Sequence, residues 1–331
     1  SDVYKRQAKD TSFQPTDTKG FIAEMQKQFA EVQTIKKKEN HREELERKVR
    51  DTHRMLMHDY PVYYDWWLQD GNDAKDIKDG KDVNWFRGSF SRQLSLRMQK
   101  LNITTAVNDT PESIEAAFQS YLKACERRRA ERLETFTANQ PEIVFTKFRT
   151  LRPSFFAYTE GVSDARAECN YFAGGSLSKI KMNGIWAEEE TLLTDEDGVY
   201  RDPNLHFDGQ HLLFSWKKSA KDDDFHLYEM DLKTRAVKQL TFGKGHADIE
   251  GIYLPDENIL FNSTRSGSAV DCWFTEVSNM YLCDREGRYM RQVGFDQVHT
   301  TTPTLLDDGR VVYTRWDYND RGQVWAQPLF Q

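Results

Sequence analysis

The sequence predicts an α+β protein, in which a helical N-terminal region is followed by a partial, truncated all-β propeller of about three to four blades. Three observations support this fold class. Apolar residues recur at helical spacing before residue 140, short β-branched and aromatic runs follow from Pro141, and these runs repeat at intervals of 47 and 52 residues. The predicted domains are therefore residues 1–140 and residues 141–331.

The composition is that of a folded chain with a polar surface. Hydrophobic residues make up 38% of the 331 and charged residues 30%, but aromatic residues reach 13%, and disordered segments are poor in aromatics. The net charge of −7 is uneven, because residues 1–140 carry 25 Lys and Arg against 23 Asp and Glu, whereas residues 141–331 carry 21 against 30. Since nucleic-acid binding needs a concentrated basic surface, no nucleic-acid partner is predicted.

No apolar run in the sequence approaches the roughly 20 residues of a transmembrane helix, and no signal peptide is visible. No transmembrane segment is therefore predicted. The chain begins at Ser1 without an initiator Met and stops at Gln331 inside an apparent repeat. We therefore expect it to be a fragment of a longer protein.

Two long helical segments are predicted in the first region. The first starts near residue 20, is interrupted near Asn40, and has apolar residues at steps of three and four: Phe21, Met25, Phe29, Val32 and Ile35. The second starts with Thr110 as its cap and Pro111 at its first helical position. Its apolar stripe is formed by Ile114, Phe118, Tyr121, Leu122 and Cys125. Between the two segments, the Asp-rich stretch from Asp70 to Asp82 is predicted to be a solvated loop, because it does not match the calcium-loop pattern.

The second region contains a phrase that recurs three times, at residues 206–216, 254–264 and 306–316. In each copy an Asp-centred turn precedes an apolar triplet, and the triplets end at Phe214, Phe261 and Tyr313. A strand, an acidic turn and another strand follow the first two copies, and a weaker copy begins at Glu142. Four strands in about 50 residues are typical of a propeller blade, which buries its two apolar faces only by stacking on other blades.

Three stretches carry a family resemblance: "RDPNLHFDGQHLLFSWKKS", "HLYEMDLKTRAVKQLTFGKGHADIEGIYLP" and "FDQVHTTTPTLLDDGRVVYTRWDYNDRG". They resemble the PD40, TolB-like propeller proteins, with WD40-like repeats, that are related to the middle domain of the hydrazine synthase alpha subunit. The resemblance covers about residues 141–331 and implies a periplasmic or extracellular protein. Hydrazine synthase chemistry uses haems attached through C-x-x-C-H motifs, and this sequence contains no such motif, so no haem ligand is implied.

The four cysteines form no C-x-x-C pair, which makes a closed thiolate zinc site improbable. Cys125 lies on the apolar stripe of the second predicted helix. Cys272 and Cys283 flank a predicted strand and are a candidate disulfide in an oxidising compartment.

The candidate site lies at the beginnings of the innermost strands, because a propeller brings these positions together around its central channel. Counting back six residues from the turn aspartates Asp208, Asp256 and Asp308 gives Asp202, Glu250 and Thr302, which are equivalent positions in three blades. His246, Asp248 and His299 lie just ahead of such positions in the chain. All six residues are predicted to face one channel mouth.

Three roles are open for these residues. His246, His299 and Asp248 could bind a divalent metal through nitrogen and oxygen donors. The same groups could act as general acid and base. Alternatively, the carboxylates cap backbone amides and the histidines form hydrogen bonds to adjacent blades. No other cofactor is identifiable from the sequence.

The function predicted first is an extracytoplasmic propeller that serves as a binding or scaffold module, similar to the hydrazine synthase alpha subunit but without haem motifs. Its partner would be a protein, a peptide or a small-molecule ligand. No catalytic residue is identified, since the sequence contains no G-x-S-x-G, Walker, G-x-G-x-x-G or H-E-x-x-H motif. The alternative is an enzyme in which the propeller supports a redox or hydrolytic domain beyond Gln331.

Overall fold

The computed structural model describes residues 17–71, 86–139, 142–149, 171–270, 276–316 and 327–331. Contacts divide the chain into two compact units, one of Ser1–Pro141 with Met182–Glu188 and one of Glu142–Lys181 with Glu189–Gln331. We call them the helical unit and the propeller unit. In the described ranges, the helical unit contains five helices: α1 (Thr18–Ile35), α2 (Arg42–Asp59), α3 (Pro61–Asp70), α4 (Phe90–Lys100) and α5 (Pro111–Asn139).

The predicted helices are present, and local side-chain contacts explain where they start. The Asp17 carboxylate accepts a hydrogen bond of 2.7 Å from the Gly20 amide at the start of α1. The predicted interruption separates α1 from α2, with Asn40 in the left-handed region at φ 55°. At the start of α5, Thr110 Oγ1 accepts a hydrogen bond of 3.3 Å from the Ser113 amide. The predicted stripe of α5 is buried in the core of the helical unit.

The predicted solvated loop is wrong at Asp70, which is buried. Asp70 ends α3 and accepts hydrogen bonds of 2.8 Å from Arg128 Nη2 and from the Tyr121 hydroxyl. Burial alone would raise the pKa of Asp70, but the hydrogen bonds and the positive charge of Arg128 outweigh burial and lower it. The rest of the Asp-rich stretch, at residues 72–82, lies outside the described residues.

The propeller unit consists of antiparallel sheets in which consecutive strands are neighbours. The first sheet contains β1 (Glu142–Phe148), β2 (Gly175–Asn183) and β3 (Trp186–Asp195). The second contains β4 (Val199–Leu205), β5 (His211–Lys217), β6 (His226–Asp231) and β7 (Val237–Gln239). The third contains β8 (Asp248–Tyr253), β9 (Ile259–Ser263), β10 (Asn279–Cys283) and β11 (Arg291–Gln292), and the fourth contains β12 (Thr300–Leu305), β13 (Val311–Arg315) and β14 (Leu329–Phe330).

The three recurring triplets occupy equivalent positions in the last three sheets. Each lies in the second strand and ends in an aromatic residue that pairs with an aromatic residue of the third strand: Phe214 with Tyr228, Phe261 with Tyr281, and Tyr313 with Phe330. The ring centroids of these pairs are 6.0, 6.1 and 6.0 Å apart. The repeat read from the sequence is therefore a repeat of strand register.

Consecutive sheets pack face to face. Strand β8 contacts β4, β5 and β6 of the preceding sheet, and β12 contacts β8, β9 and β10. Leu213 and Leu227 of the second sheet form one buried cluster with Tyr253, Ile259 and Phe261 of the third. This stacking buries the face that a single sheet would leave exposed. The structure therefore confirms the predicted fold class, a helical region followed by a partial propeller.

Candidate functional site

The first strands of the second, third and fourth sheets each contain a register shift typical of a β-bulge. One residue in each bulge has a positive φ: Asp202 (55°), Glu250 (56°) and Thr302 (51°). The left-handed region is rarely adopted by non-glycine residues, and least of all by a β-branched residue such as Thr. The three positions that the sequence predicted to be equivalent therefore share an unusual backbone conformation.

Hydrogen bonds connect these bulges from sheet to sheet. Asp202 Oδ2 accepts a bond of 3.1 Å from the Glu250 amide, and Glu250 Oε2 accepts one of 2.7 Å from the Thr302 amide. The bulges of the third and fourth sheets thus each present an amide to the carboxylate of the preceding sheet, which gives a physical reason for the strained φ of Glu250 and Thr302. The structure brings together these three of the six predicted residues.

Arg201 joins the two carboxylates. Its Nε atom lies 2.6 Å from Asp202 Oδ2, its Nη2 atom 3.2 Å from Glu250 Oε1, and its Nη1 atom donates a hydrogen bond of 3.0 Å to the Tyr171 hydroxyl. We call Tyr171, Arg201, Asp202, Glu250 and Thr302 the inner-strand cluster. One guanidinium is shared by two carboxylates, so the ionised cluster has one negative charge in excess.

The surplus charge and the burial act on Glu250 in the same direction. Burial raises the pKa of Glu250, and the charge of Asp202 raises it further, although Arg201 lowers it; the result is a pKa above the ordinary value. The pKa of Arg201 is also raised, because the nearby carboxylates outweigh its burial. The cluster can therefore hold a proton or a cation more readily than an exposed carboxylate would.

Asp248 forms a buried ion pair with Arg265. Its side chain is 0% exposed, and Arg265 Nη2 lies 2.8 Å from Oδ1 and 2.7 Å from Oδ2. Ser263 Oγ donates a further hydrogen bond of 2.6 Å. His246 Nε2 lies 4.0 Å and His226 Nδ1 3.7 Å from Asp248 Oδ2, both beyond hydrogen-bond distance. In this arrangement Asp248 stabilises the strand β8–β9 pair.

His299 lies in a different environment from His246. Its Nδ1 atom accepts a hydrogen bond of 3.1 Å from the Ser278 amide, and its ring stacks on Trp316 at 5.7 Å. Burial lowers the pKa of His299 to about 4, so the ring is neutral near pH 7. Among the described residues, His246 and His299 share no hydrogen bond or ring contact, and the ligand atoms of His246, Asp248 and His299 do not converge. That metal set stays a prediction without geometric support.

Another group does bring metal-ligating atoms together. His206, Asp208 and His211 each offer one ligand atom within 4.8 Å of the other two, and no other described residues form such a group. The sequence reasoning missed it. The signal was the spacing His-x-Asp-x-x-His in the first copy of the recurring phrase, because the other copies have no His at these positions.

Cys283 is buried, and burial raises the pKa of its thiol to about 12. Its candidate partner Cys272 lies outside the described residues, so their disulfide stays a prediction. Within the described ranges, none of the helices combines the length and the apolar character needed to cross a membrane.

Known proteins similar to this chain are found among solved structures. No family model and no curated protein matches the sequence. Similar solved structures include TolB from Acinetobacter baumannii, with 20% identity and a TM-score of 0.35 over 47% of this chain and 35% of that protein. A TolB from Agrobacterium tumefaciens has 17% identity and a TM-score of 0.34 over 44% of this chain and 51% of that one. Hydrazine synthase from Kuenenia stuttgartiensis has 16% identity and a TM-score of 0.41 over 53% of this chain and 28% of that one.

These proteins are of the kinds that the sequence resemblance named. The chain spans between about a quarter and a half of their lengths. At these identities and TM-scores, the likeness does not bear on activity, ligand or partner.

Proposed function

We propose that residues 141–331 form an extracytoplasmic binding and scaffold module, carried by a helical domain of residues 1–140. Its ligand is a peptide, a small molecule or a segment of a protein partner that carries a positively charged amine. The amine binds at the inner-strand cluster, between Asp202 and Glu250.

The observation that carries this proposal is the sharing of Arg201 by two carboxylates. One guanidinium offsets only one of the two charges, and burial, with the charge of Asp202 added to it, raises the pKa of Glu250. An ammonium group would supply the missing positive charge and donate hydrogen bonds to carboxylate oxygens. Hydrogen bonds between ionised partners are roughly twice as strong as those between neutral ones.

The cluster reaches the surface at Asp202 and Thr302, while Glu250 is buried. The side chain of Asp202 is 23% exposed, and Thr302 is exposed as well. Residues with strained backbone conformations concentrate at ligand sites, and three of them meet here. Positions 141–331 contain 30 acidic and 21 basic residues, and this surplus of negative charge would also attract cations from solution.

The test uses pools of tripeptides with free N-termini and the same pools after N-acetylation. We expect the free pool to raise the thermal unfolding midpoint of the protein, since a ligand at 100 times its Kd stabilises the folded state by about 2.7 kcal/mol. The acetylated pool should leave the midpoint unchanged. Glu250→Gln and Asp202→Asn, which remove one charge each, should abolish the shift.

Asp256→Asn is the matched control, because Asp256 is an acidic residue of the propeller unit in an exposed turn. It should respond as the unaltered protein does. An equal response to acetylated peptides, or a retained shift in both cluster variants, would contradict the proposal. The location is tested by fractionating cells that express the full-length gene, and recovery in the cytoplasm would contradict the extracytoplasmic assignment.

A further inference from the structure

The hairpin turn between β4 and β5 concentrates three metal-ligating side chains. Asp208 Oδ2 lies 3.0 Å from His206 Nδ1 and 2.7 Å from His211 Nδ1. We propose that this turn binds one divalent transition-metal ion, with Zn²⁺ as the best fit, through the two Nδ1 atoms and the Asp208 carboxylate. The site is separate from the inner-strand cluster, and the two proposals do not depend on each other.

The surroundings of His206 leave an unfavourable contact that a cation would relieve. Its Nε2 atom lies 3.2 Å from Glu257 Oε2, and its Nδ1 atom accepts a hydrogen bond of 3.2 Å from the Asp208 amide. A neutral ring that donates to Glu257 through Nε2 has an unprotonated Nδ1. Nδ1 and Asp208 Oδ2 are then two acceptors 3.0 Å apart with no hydrogen between them. A metal ion bound to both atoms would take the Nδ1 lone pair in place of the Asp208 amide.

Glu257 is positioned to orient the His206 ring through its carboxylate. Histidines that bind metal commonly donate their other ring N–H to a carboxylate, which fixes the ring orientation and the tautomer. His206 is buried, so the contact with Glu257 holds an imidazole that cannot easily turn away. The local arrangement therefore resembles the carboxylate–histidine–metal relay of known metal sites.

The local charge also suits a divalent ion. Arg285 lies 3.1 Å from Glu257 Oε2, 3.2 Å from Glu229 Oε1 and 4.0 Å from Asp208 Oδ2. The three carboxylates carry three negative charges and Arg285 carries one positive charge, which leaves an excess of two negative charges when the histidines are neutral. One divalent cation balances that excess.

The equivalent hairpins show that the turn itself does not need the histidines. Each hairpin is closed by a pair of residues. The amide of the first residue of the pair donates a backbone hydrogen bond of 2.8–2.9 Å to the carbonyl of the second residue. These closing pairs are His206 and His211 in the second sheet, Leu254 and Asn258 in the third, and Leu306 and Arg310 in the fourth.

The two carboxylate oxygens of the turn aspartate in the second sheet have different contacts. In all three hairpins the Oδ1 atom of the aspartate accepts an amide of the turn: Asp208 from Gln210, Asp256 from Asn258, and Asp308 from Arg310. That contact maintains the turn with any closing pair. Asp208 Oδ2 is the atom that faces two imidazoles, so the histidine pair adds a binding function to an otherwise ordinary turn.

Two nitrogen donors and one oxygen donor, with a water as fourth ligand, match the preference of Zn²⁺ for tetrahedral sites of this kind. Asp208 and His211 are 31% and 30% exposed, so an ion can reach the turn from solvent. Because Glu257 belongs to the turn between β8 and β9, the bound ion would connect hairpins of two successive sheets.

The experiment uses the untagged 331-residue chain after removal of metal with EDTA. Co²⁺ is titrated while its visible absorption is recorded, and Zn²⁺ binding is measured by calorimetry. We expect one equivalent of each ion to bind, and Zn²⁺ to displace Co²⁺. His211→Ala should abolish saturable binding, and Glu257→Gln should weaken it by about 10- to 100-fold, as expected for a residue that supports a ligand.

Asn258→Ala and Arg310→Ala are the matched controls, because these residues close the equivalent hairpins. Both should bind one equivalent as the unaltered protein does, and circular dichroism verifies that every variant is folded. His211 is partly exposed, so its removal is compatible with folding. Absence of saturable binding in the unaltered chain, or unchanged binding in His211→Ala, would overturn the proposal.

Discussion

Replacing Arg265 with Gln should destabilise the propeller unit by about 3–5 kcal/mol. The reason is that Asp248 is 0% exposed and Arg265 is the cation that contacts both of its oxygens. Breaking a buried ion pair by removing one partner leaves an uncompensated charge and has this magnitude. Ser263 would still donate its hydrogen bond, but a hydroxyl does not neutralise a carboxylate.

The effect of this substitution should depend on pH in a defined direction. Burial would raise the pKa of Asp248, but the neighbouring His226, Arg265 and Ser263 outweigh burial and hold the pKa below its ordinary value of about 3.9. In the unaltered protein the ionised carboxylate therefore contributes stability above that value, which is lost as the pH falls through the folded-state pKa. Without Arg265 the pKa rises, and protonation relieves the buried charge, so the loss should be largest at pH 7 and smaller at pH 4.

The assay is equilibrium unfolding in urea at both pH values. Lys238→Gln is the control, because Lys238 and Glu286 form an ion pair whose side chains are 51% and 50% exposed. Exposed pairs contribute about 0–1 kcal/mol, so this variant should remain close to the unaltered protein. A loss below 1 kcal/mol for Arg265→Gln at pH 7, or a larger loss at pH 4, would refute the reasoning.

Two further substitutions probe the sheets. Phe261→Ala should lower the free energy of unfolding by about 3–5 kcal/mol in the same urea assay, because the ring is 0% exposed between sheets; a loss below 1 kcal/mol would contradict the stacking of blades. Gly287→Ala should destabilise more than Gly309→Ala, as measured by thermal unfolding. Both glycines have a positive φ, at 76° and 85°, and an L-residue in this conformation lowers the stability by about 1–2 kcal/mol. Only at Gly287 would the new Cβ also lie 2.1 Å from the Leu240 carbonyl oxygen. Equal losses would show that the carbonyl moves away freely.

The helices could be predicted from the sequence where the apolar spacing is regular, as at Phe21 to Ile35 and Ile114 to Cys125. Helices α3 and α4 were missed. In α3 aromatic residues occupy several sides of a short helix, so no single stripe stands out. The burial of Asp70 was also missed, because a sequence does not reveal that Arg128, 58 positions away, supplies the compensating charge.

The candidate site was predictable only in part. Asp202, Glu250 and Thr302 could be found by counting from the turn aspartates, since equivalent residues of a repeat occupy equivalent positions. Arg201 has no counterpart in the other two blades, where Ile249 and Thr301 precede the bulge residues, so the repeat gave no reason to select it.

By itself, the sequence determined the succession of a helical region and a strand-rich region, the period of the repeat and the register of Phe214, Phe261 and Tyr313, because these depend on local spacing and on the burial of apolar faces. Tertiary structure alone decided which charges meet. It placed Arg201 between two carboxylates, paired Asp248 with Arg265, and brought Glu257 of the β8–β9 turn to His206. The physical reason is that ionic contacts and hydrogen bonds depend on distances of a few ångströms between residues that hydrophobic periodicity does not relate, such as Arg201 and Glu250, which are 49 positions apart.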